Sequence, residues 1–387
     1  MRRVLRLGGR VLAILILAIV VLALWKQQEI KRLLVVNSLF DPDKIVGNFS
    51  SMGSAFLTSE LPKGSGTPSA FADGPAAELP EGYDDWIKER SVTSILVLKG
   101  GALRHEAYYL GTNSEDRRIS WSVAKSYLSA LFGVLLAEGA IASIDDPVVT
   151  YAPELADSAY KDATIRNVLN MASGVEFNED YFDFNSDINR MGRVLALGRK
   201  MDDFSASITK SYAAPGSDWQ YVSIDTHVIG MVIRGATGRP IAELLNEKIL
   251  QPLGLEQDGY YVTDGVGVAF VLGGLNFTTR DFARFGVMIE QDGLYGGQQV
   301  VPADWVQAST TPSAPTAPGA SQYGYQWWIE ADAPAGEFFA RGVYGQYIYI
   351  DQARDVVIAA TGADRGFRDD GAHRSNIEMF RAIAENL

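Results

Sequence analysis

A serine hydroxyl becomes a nucleophile only when a neighbouring base takes its proton. A lysine can be that base if burial or nearby positive charge lowers its pKa. The pattern Ser-x-x-Lys sets the two groups on one face of a helix, where the amine can reach the hydroxyl. Three copies occur in this chain: Ser122–Lys125, Ser158–Lys161 and Ser207–Lys210. Their surroundings differ. After Ser122, the residues Val123, Tyr127, Leu128, Leu131, Phe132, Val134, Leu135 and Leu136 cover almost the whole circumference of a helix. That pattern predicts a helix from Ser122 to Gly139 buried at the molecular centre. A serine opening such a helix aims its own N–H and the helix dipole at a developing oxyanion. Ser158 follows Pro153 in a polar stretch, and Ser207 begins a short segment ended by Pro215. Both read as solvated loop serines near exposed lysines. Ser122 taken alone also fits an N-cap serine with a snorkelling lysine.

Other chemistries find little support. There is no Gly-x-Ser-x-Gly elbow and no His-Glu-x-x-His pair. His105, His227 and His373 stand far apart and read as structural or surface residues, so a zinc site or a histidine-based triad is poorly supported. Asp183-x-Asn185-x-Asp187-x-Asn189 begins like a calcium loop. Ile188 replaces its glycine and Val194 its closing glutamate, so an ordinary polar loop is expected. The absence of cysteine removes disulfides, thiolate nucleophiles and iron–sulfur clusters. The chain carries a net charge of −13, and no basic stripe follows the N-terminus, so no nucleic-acid partner is expected.

The elements that position these residues can be read coarsely. The 387 residues are 47% hydrophobic and 21% charged, a globular composition. Arg2, Arg3, Arg6 and Arg10 precede an apolar run from Val11 to Trp25. At about 1.5 Å per residue this run falls short of a ~30 Å hydrocarbon core unless its flanks snorkel. An uncleaved single-pass inner-membrane anchor is expected. Its arginines would stay cytoplasmic and leave the catalytic part on the periplasmic, outer side. A secretory signal peptide is the alternative, and a buried core helix the weakest reading. Residues 1–32 are thus the anchor or signal, 33–80 a stalk or lead-in, and 81–387 the main domain. Val92–Leu98 and Leu103–Leu110 flank Lys99-Gly100-Gly101 as a β-hairpin. Tyr325–Glu330, Glu337–Arg341, Gln346–Ile350 and Val356–Thr361 are further strands, and Arg374–Leu387 is a closing helix. An α+β fold follows, with one antiparallel sheet built from both ends of the dense region, flanked by helices, beside a mostly helical lobe.

Ser-Trp-Ser-Val-Ala-Lys-Ser (120–126), the apolar helix after it and Ile144-Asp-Asp-Pro147 resemble the first motif of the serine β-lactamase and penicillin-binding superfamily. They are most similar to its class C-like branch of esterases, D-aminopeptidases and 6-aminohexanoate-dimer hydrolases. Pro215–Ser223 resembles the Tyr-x-Asn motif, and Ala340–Gln346 the third-motif strand; Val168–Gly174, Asn178–Tyr181 and Ile249–Gly254 continue the likeness. The resemblance implies a β-lactamase-like fold and an acyl-enzyme on Ser122, with Lys125 and Tyr221 sharing the proton transfers. It also implies an oxyanion hole from the N–H groups of Ser122 and Val343, and a substrate site including Tyr181, Ser223, Trp328, Arg341, Gly342 and Tyr344. No metal or organic cofactor is implied. Two positions depart from the pattern: Ser223 replaces the asparagine, and Ala340-Arg341-Gly342 replaces Lys-Thr-Gly. Arg341 is cationic but takes the middle position, which on a strand points away from its neighbours' face. Small esters and linear amides, including 6-aminohexanoate oligomers, therefore fit better than β-lactams. A D,D-peptidase or penicillin-binding protein, and a catalytically silent anchored sensor, are the competing expectations.

Overall fold

The strand-forming runs from the two ends of the dense region meet in one sheet. The computed structural model describes residues 2–66 and 69–387, with side chains from residue 8 onward. The strands in chain order are β1 (Leu57–Leu61), β2 (Ala72–Asp73), β3 (Val92–Lys99), β4 (Ala102–Tyr108), β5 (Arg118–Ile119), β6 (Gly259–Thr263) and β7 (Leu275–Phe277). There follow a small hairpin, β8 (Leu294–Tyr295) and β9 (Gln298–Gln299), and then β10 (Gln322–Gly324), β11 (Trp327–Ile329), β12 (Glu337–Gly342), β13 (Gln346–Asp351) and β14 (Val356–Gly362). The main sheet has the order β10-β11-β12-β13-β14-β3-β4-β2. Every neighbouring pair in it is antiparallel except β2 with β4. Val357 lies opposite Leu98 and Ile358 opposite Val97, so the late strand β14 closes on the early strand β3.

Period-2 alternation sorts this sheet's side chains onto two faces. Leu96, Leu98, Ile348, Ile350 and Val357 join the larger core, shared with the helical lobe. Ile95, Val97, Tyr349 and Ile358 face a second core. The eight helices that matter here are α1 (Arg2–Trp25), α2 (Gln27–Asn37), α3 (Tyr83–Glu89), α4 (Ala124–Ala137), α5 (Asp187–Ala196), α6 (Ser223–Thr237), α7 (Thr279–Glu290) and α8 (Ala372–Glu385). Helices α3 and α8 cover the second core through Trp86, Ile377 and Phe380, and Trp86 Nε1 donates to Asn376 Oδ1 at 2.9 Å. Helix α4 is buried from Ala124 to Leu135, as its all-round apolar pattern requires. Helix α6 is buried from Ser223 to Ile233 beside it. The chain has an α+β fold, with the antiparallel sheet built from both ends of the dense region.

Three local expectations change. The helix after Ser122 starts with a 3₁₀ turn, Trp121–Val123, and ends at Ala137. Tyr325–Glu330 is not one strand. Gln326 adopts φ +70° and turns the chain between β10 and β11. Its side chain is fixed there: Nε2 donates to the Leu169 carbonyl at 2.8 Å, and Oε1 accepts from Thr226 Oγ1 at 2.7 Å. The third change is the largest. Residues 39–61, expected only as a stalk, are part of the domain. Leu39, Ile45, Phe49, Met52 and Leu61 are buried in the larger core, and β1 pairs with β6 from Leu57–Thr263 to Leu61–Gly259.

At the N-terminus, α1 is exposed throughout Gly8–Trp25, an 18-residue window apolar enough to cross a membrane. A buried core helix is therefore ruled out for this segment. Only Lys26 separates α1 from α2.

Candidate active site

Ser122 sits where the two sheets meet. The four-stranded sheet β1-β6-β7-β5 ends in β5, and just beyond β5 the Ser120 N–H donates to the Leu275 carbonyl at 2.7 Å. The next residue, Trp121, has φ +42°, a left-handed conformation that a bulky side chain rarely adopts. The chain then enters the 3₁₀ turn that carries Ser122. From the other side comes the end of β12. A Cβ on Gly342 would lie 2.6 Å from the Ser120 carbonyl oxygen and 3.1 Å from the Ser122 nitrogen. Only a glycine lets the strand approach the Ser122 backbone this closely. Val343 follows, and both Ser122 and Val343 line the same cavity.

Lys125, in the first turn of α4, is 1% exposed, and its Nζ has no hydrogen-bond partner among the described residues. Its Nζ lies 5.4 Å from the centroid of the Tyr221 ring. Burial pulls its pKa down to about 7, against the carboxylates of Glu179 and Asp225, which favour the charged form. A lysine near 7 supplies a large share of free amine at neutral pH. Tyr221 ends the loop before α6 and stacks on Trp328 with ring centroids 5.2 Å apart. Burial raises the Tyr221 pKa, while a hydrogen bond with Ser122 and the charge of Arg341 act in the opposite direction. Ser122, Lys125 and Tyr221 are thus brought together at one point.

Two buried carboxylates stand behind this trio. Neither was singled out from the sequence. Asp225 Oδ1 accepts from Tyr160 Oη at 2.7 Å and Ser173 Oγ at 2.9 Å. Burial pushes its pKa up to about 7 in spite of those bonds. Glu179 accepts from the Ser223 hydroxyl and, at 3.3 Å, from Tyr181 Oη. Burial raises its pKa as well. Lys125, Glu179 and Asp225 therefore titrate as an interacting group rather than singly. A signal for Asp225 was present: it is a lone acid inside the apolar start of α6, four positions after Tyr221. Glu179 lies within the Asn178–Tyr181 likeness, but its contact with Ser223, 44 residues on, had no local signal.

The other expected substrate residues divide. Tyr181, Ser223 and Tyr344 line a cavity of about 450 Å³ that opens beside Ser122. Trp328 and Arg341 do not. Arg341 lies on the face of β12 opposite Ala340 and Gly342, with its guanidinium over the Trp328 ring at 5.8 Å. Gly342 contributes the close backbone approach instead of a contact surface. A larger cavity of about 740 Å³ near Asp304 and Glu330 includes none of these residues.

The remaining candidates are separated from the site. Ser158 is buried, not solvated, and donates to the Leu155 carbonyl at 2.7 Å. Ser207 donates to the Phe204 carbonyl at 2.6 Å. His227 bonds Asp202 at 2.8 Å, His373 bonds Glu330 at 2.7 Å, and His105 bonds Tyr83 at 3.0 Å. Asp183–Asn189 forms the turn into α5, with Asn189 Nδ2 donating to the Asp183 carbonyl at 2.8 Å.

Known proteins share this framework. A 6-aminohexanoate-dimer hydrolase of Paenarthrobacter ureafaciens is 30% identical over 305 residues, 75% of this chain and 77% of that protein. Esterase EstB of Burkholderia gladioli is 31% identical over 222 residues, but the match spans only 50% of this chain and 54% of EstB. A solved Bacillus anthracis structure, provisionally named a 6-aminohexanoate-dimer hydrolase, superposes with a TM-score of 0.79 at 24% identity, covering 90% of this chain and 95% of that one. The beta-lactamase family model matches residues 84–378, and the chain belongs to that family of serine hydrolases.

Proposed function

We propose that the chain cleaves esters and linear amides through an acyl-enzyme on Ser122. One observation carries this reading: a fully buried lysine with a pKa near 7 stands one helical turn from a serine at the mouth of a cavity. Ser122 Oγ attacks the acyl carbon, and its proton passes to the Lys125 amine. The backbone N–H groups of Ser122 and Val343 hold the oxyanion. Tyr221 relays a proton to the departing alcohol or amine, which leaves the acyl group on Ser122. Water then attacks the acyl-enzyme and gives its proton back through Tyr221 and Lys125. The acid leaves and the serine is regenerated. With Ala340 and Arg341 at the positions of Lys-Thr, and Arg341 turned toward Trp328, a β-lactam carboxylate lacks its usual partners. Helix α1 serves as a membrane anchor, with the catalytic domain on the outer side of the inner membrane.

The test is covalent labelling with a fluorophosphonate, run beside turnover of p-nitrophenyl acetate. Wild type should label on Ser122. Ser122→Ala should lose label and turnover. Lys125→Ala should lose turnover by about 10²-fold or more, the usual worth of a general base. Equal turnover by wild type and Ser122→Ala would sink the proposal, and a stable penicillin adduct on Ser122 would replace it with a penicillin-binding reading.

A further inference from the structure

The cavity beside Ser122 has an unusual roof. Val36, at the end of α2, and Leu39, Phe40, Met52 and Phe56, in the part of the domain that directly follows α2, all line it. Phe40 stacks on Tyr344 with centroids 5.1 Å apart and lies 6.0 Å from Trp121, so the roof is tied to residues flanking Ser122 and Val343. The opposite wall comes from α5, through Ile188, Met191 and Leu195, from Val262 of β6 and from Phe270 in the loop between β6 and β7. Among the described residues, the lining contains no carboxylate. Its one charge, Arg193, is already engaged: the guanidinium lies 4.2 Å from the Phe184 ring centroid and donates to the Phe184 carbonyl at 2.7 Å. Glu179 is held behind Ser223 and Tyr181. At the mouth, Phe182 and Phe184 are 73% and 71% exposed.

Charge and volume together limit what this space can hold. An acyl chain ending in an ammonium, as in an aminohexanoyl group, would enter without a counter-charge, and an unpaired charge in an apolar site is strongly disfavoured. An uncharged alkyl chain gains with every buried methylene. We propose that this cavity is an acyl-chain subsite and that the preferred substrates are esters of uncharged, extended apolar acids. The inference rests on the Ser122 hydrolase reading and names its substrate class. It also gives the roof a role, since the acyl chain binds against the first residues of the domain after α2.

The experiment uses the full-length chain in phospholipid vesicles, with p-nitrophenyl esters from acetate to decanoate and with p-nitrophenyl 6-aminohexanoate. kcat/KM should rise about fourfold per methylene, as expected for about 0.8 kcal/mol per buried methylene, until the cavity is full. The hexanoate should be cleaved about tenfold or more faster than the 6-aminohexanoate. Gly192 lines the cavity, and a Cβ placed on it would meet nothing within 4 Å. Gly192→Phe should lower the decanoate-to-acetate ratio by about tenfold or more. A flat or falling chain-length series, or parity between hexanoate and 6-aminohexanoate, would overturn the inference and leave the hydrolase standing. No turnover of any ester, with Ser122 unlabelled by fluorophosphonate, would overturn both. Two further arms present the decanoate within the enzyme's vesicles or dissolved in buffer. Faster turnover in the first identifies a bilayer-borne source and faster turnover in the second a soluble one, each with the chain-length rise intact.

Discussion

Lys125 is held near neutrality by opposed forces. Burial alone would drive its proton off; Glu179 and Asp225 hold it on. The sign of a carboxylate deletion follows directly. Removing an anion destabilises the ammonium, lowers the lysine pKa and extends the free amine to lower pH. For wild type, kcat/KM for a soluble ester should fall as pH drops through about 7. Asp225→Asn and Glu179→Gln should each move that acid limb to lower pH, by about one unit. A pH–rate profile reads this shift, whereas a purely structural loss would lower the plateau without moving the limb. A limb that moves up, or stays fixed in both variants, contradicts the electrostatic account. The difference in legibility has the same physical root. Ser122 and Lys125 lie one helical turn apart, so their spacing announces them. Tyr221 enters through its motif. Glu179 matters only because a distant loop folds its carboxyl against Ser223, and a sequence shows no such contact until the fold is known.

At the scale of elements, periodicity made the sheet and the central helix readable. Strands β3, β4, β12, β13 and β14 fall where alternation and turn residues put them. The turn at Gln326 did not, because glutamine is no turn former and its left-handed φ is enforced by hydrogen bonds to α6 and to the Leu169 carbonyl. The junction of β12 with the Ser122 turn is the element on which the proposed oxyanion binding would depend. It yields little, since Ser120 is fixed through its N–H to Leu275. Gly342→Ala would press a methyl to 2.6 Å from the Ser120 carbonyl and 3.1 Å from the Ser122 nitrogen. The strand must then retreat, which separates the two oxyanion donors. The expected result is a loss in kcat of about 10²–10³-fold, the worth of one such donor. A thermal melt and fluorophosphonate labelling would accompany the assay. Unchanged kcat in a folded Gly342→Ala protein would show that the close approach is dispensable.

The whole molecule depends on a segment whose composition hides its importance. Residues 39–61 are short on periodicity and rich in Ser, and their strand partner β6 lies about two hundred positions away. Non-local pairing of this kind has no local signature. Yet the segment supplies Leu39, Ile45, Phe49, Met52 and Leu61 to the core. At about 1.5–3 kcal/mol per buried large apolar side chain, these five contribute on the order of 8–15 kcal/mol. Helix α1 differs, because its residues from Gly8 to Trp25 are exposed and contribute nothing to the core. Two truncations should therefore part sharply. A chain beginning at Gln27 should melt cooperatively and turn over p-nitrophenyl acetate at the rate of the full-length protein. A chain beginning at Pro62 loses β1 from β6 and the five core side chains with it. It should fail to fold, as judged by loss of near-ultraviolet circular dichroism and of fluorophosphonate labelling at Ser122. Should the shorter chain instead fold and label normally, residues 39–61 would be a lead-in after all, and the domain would begin near residue 81.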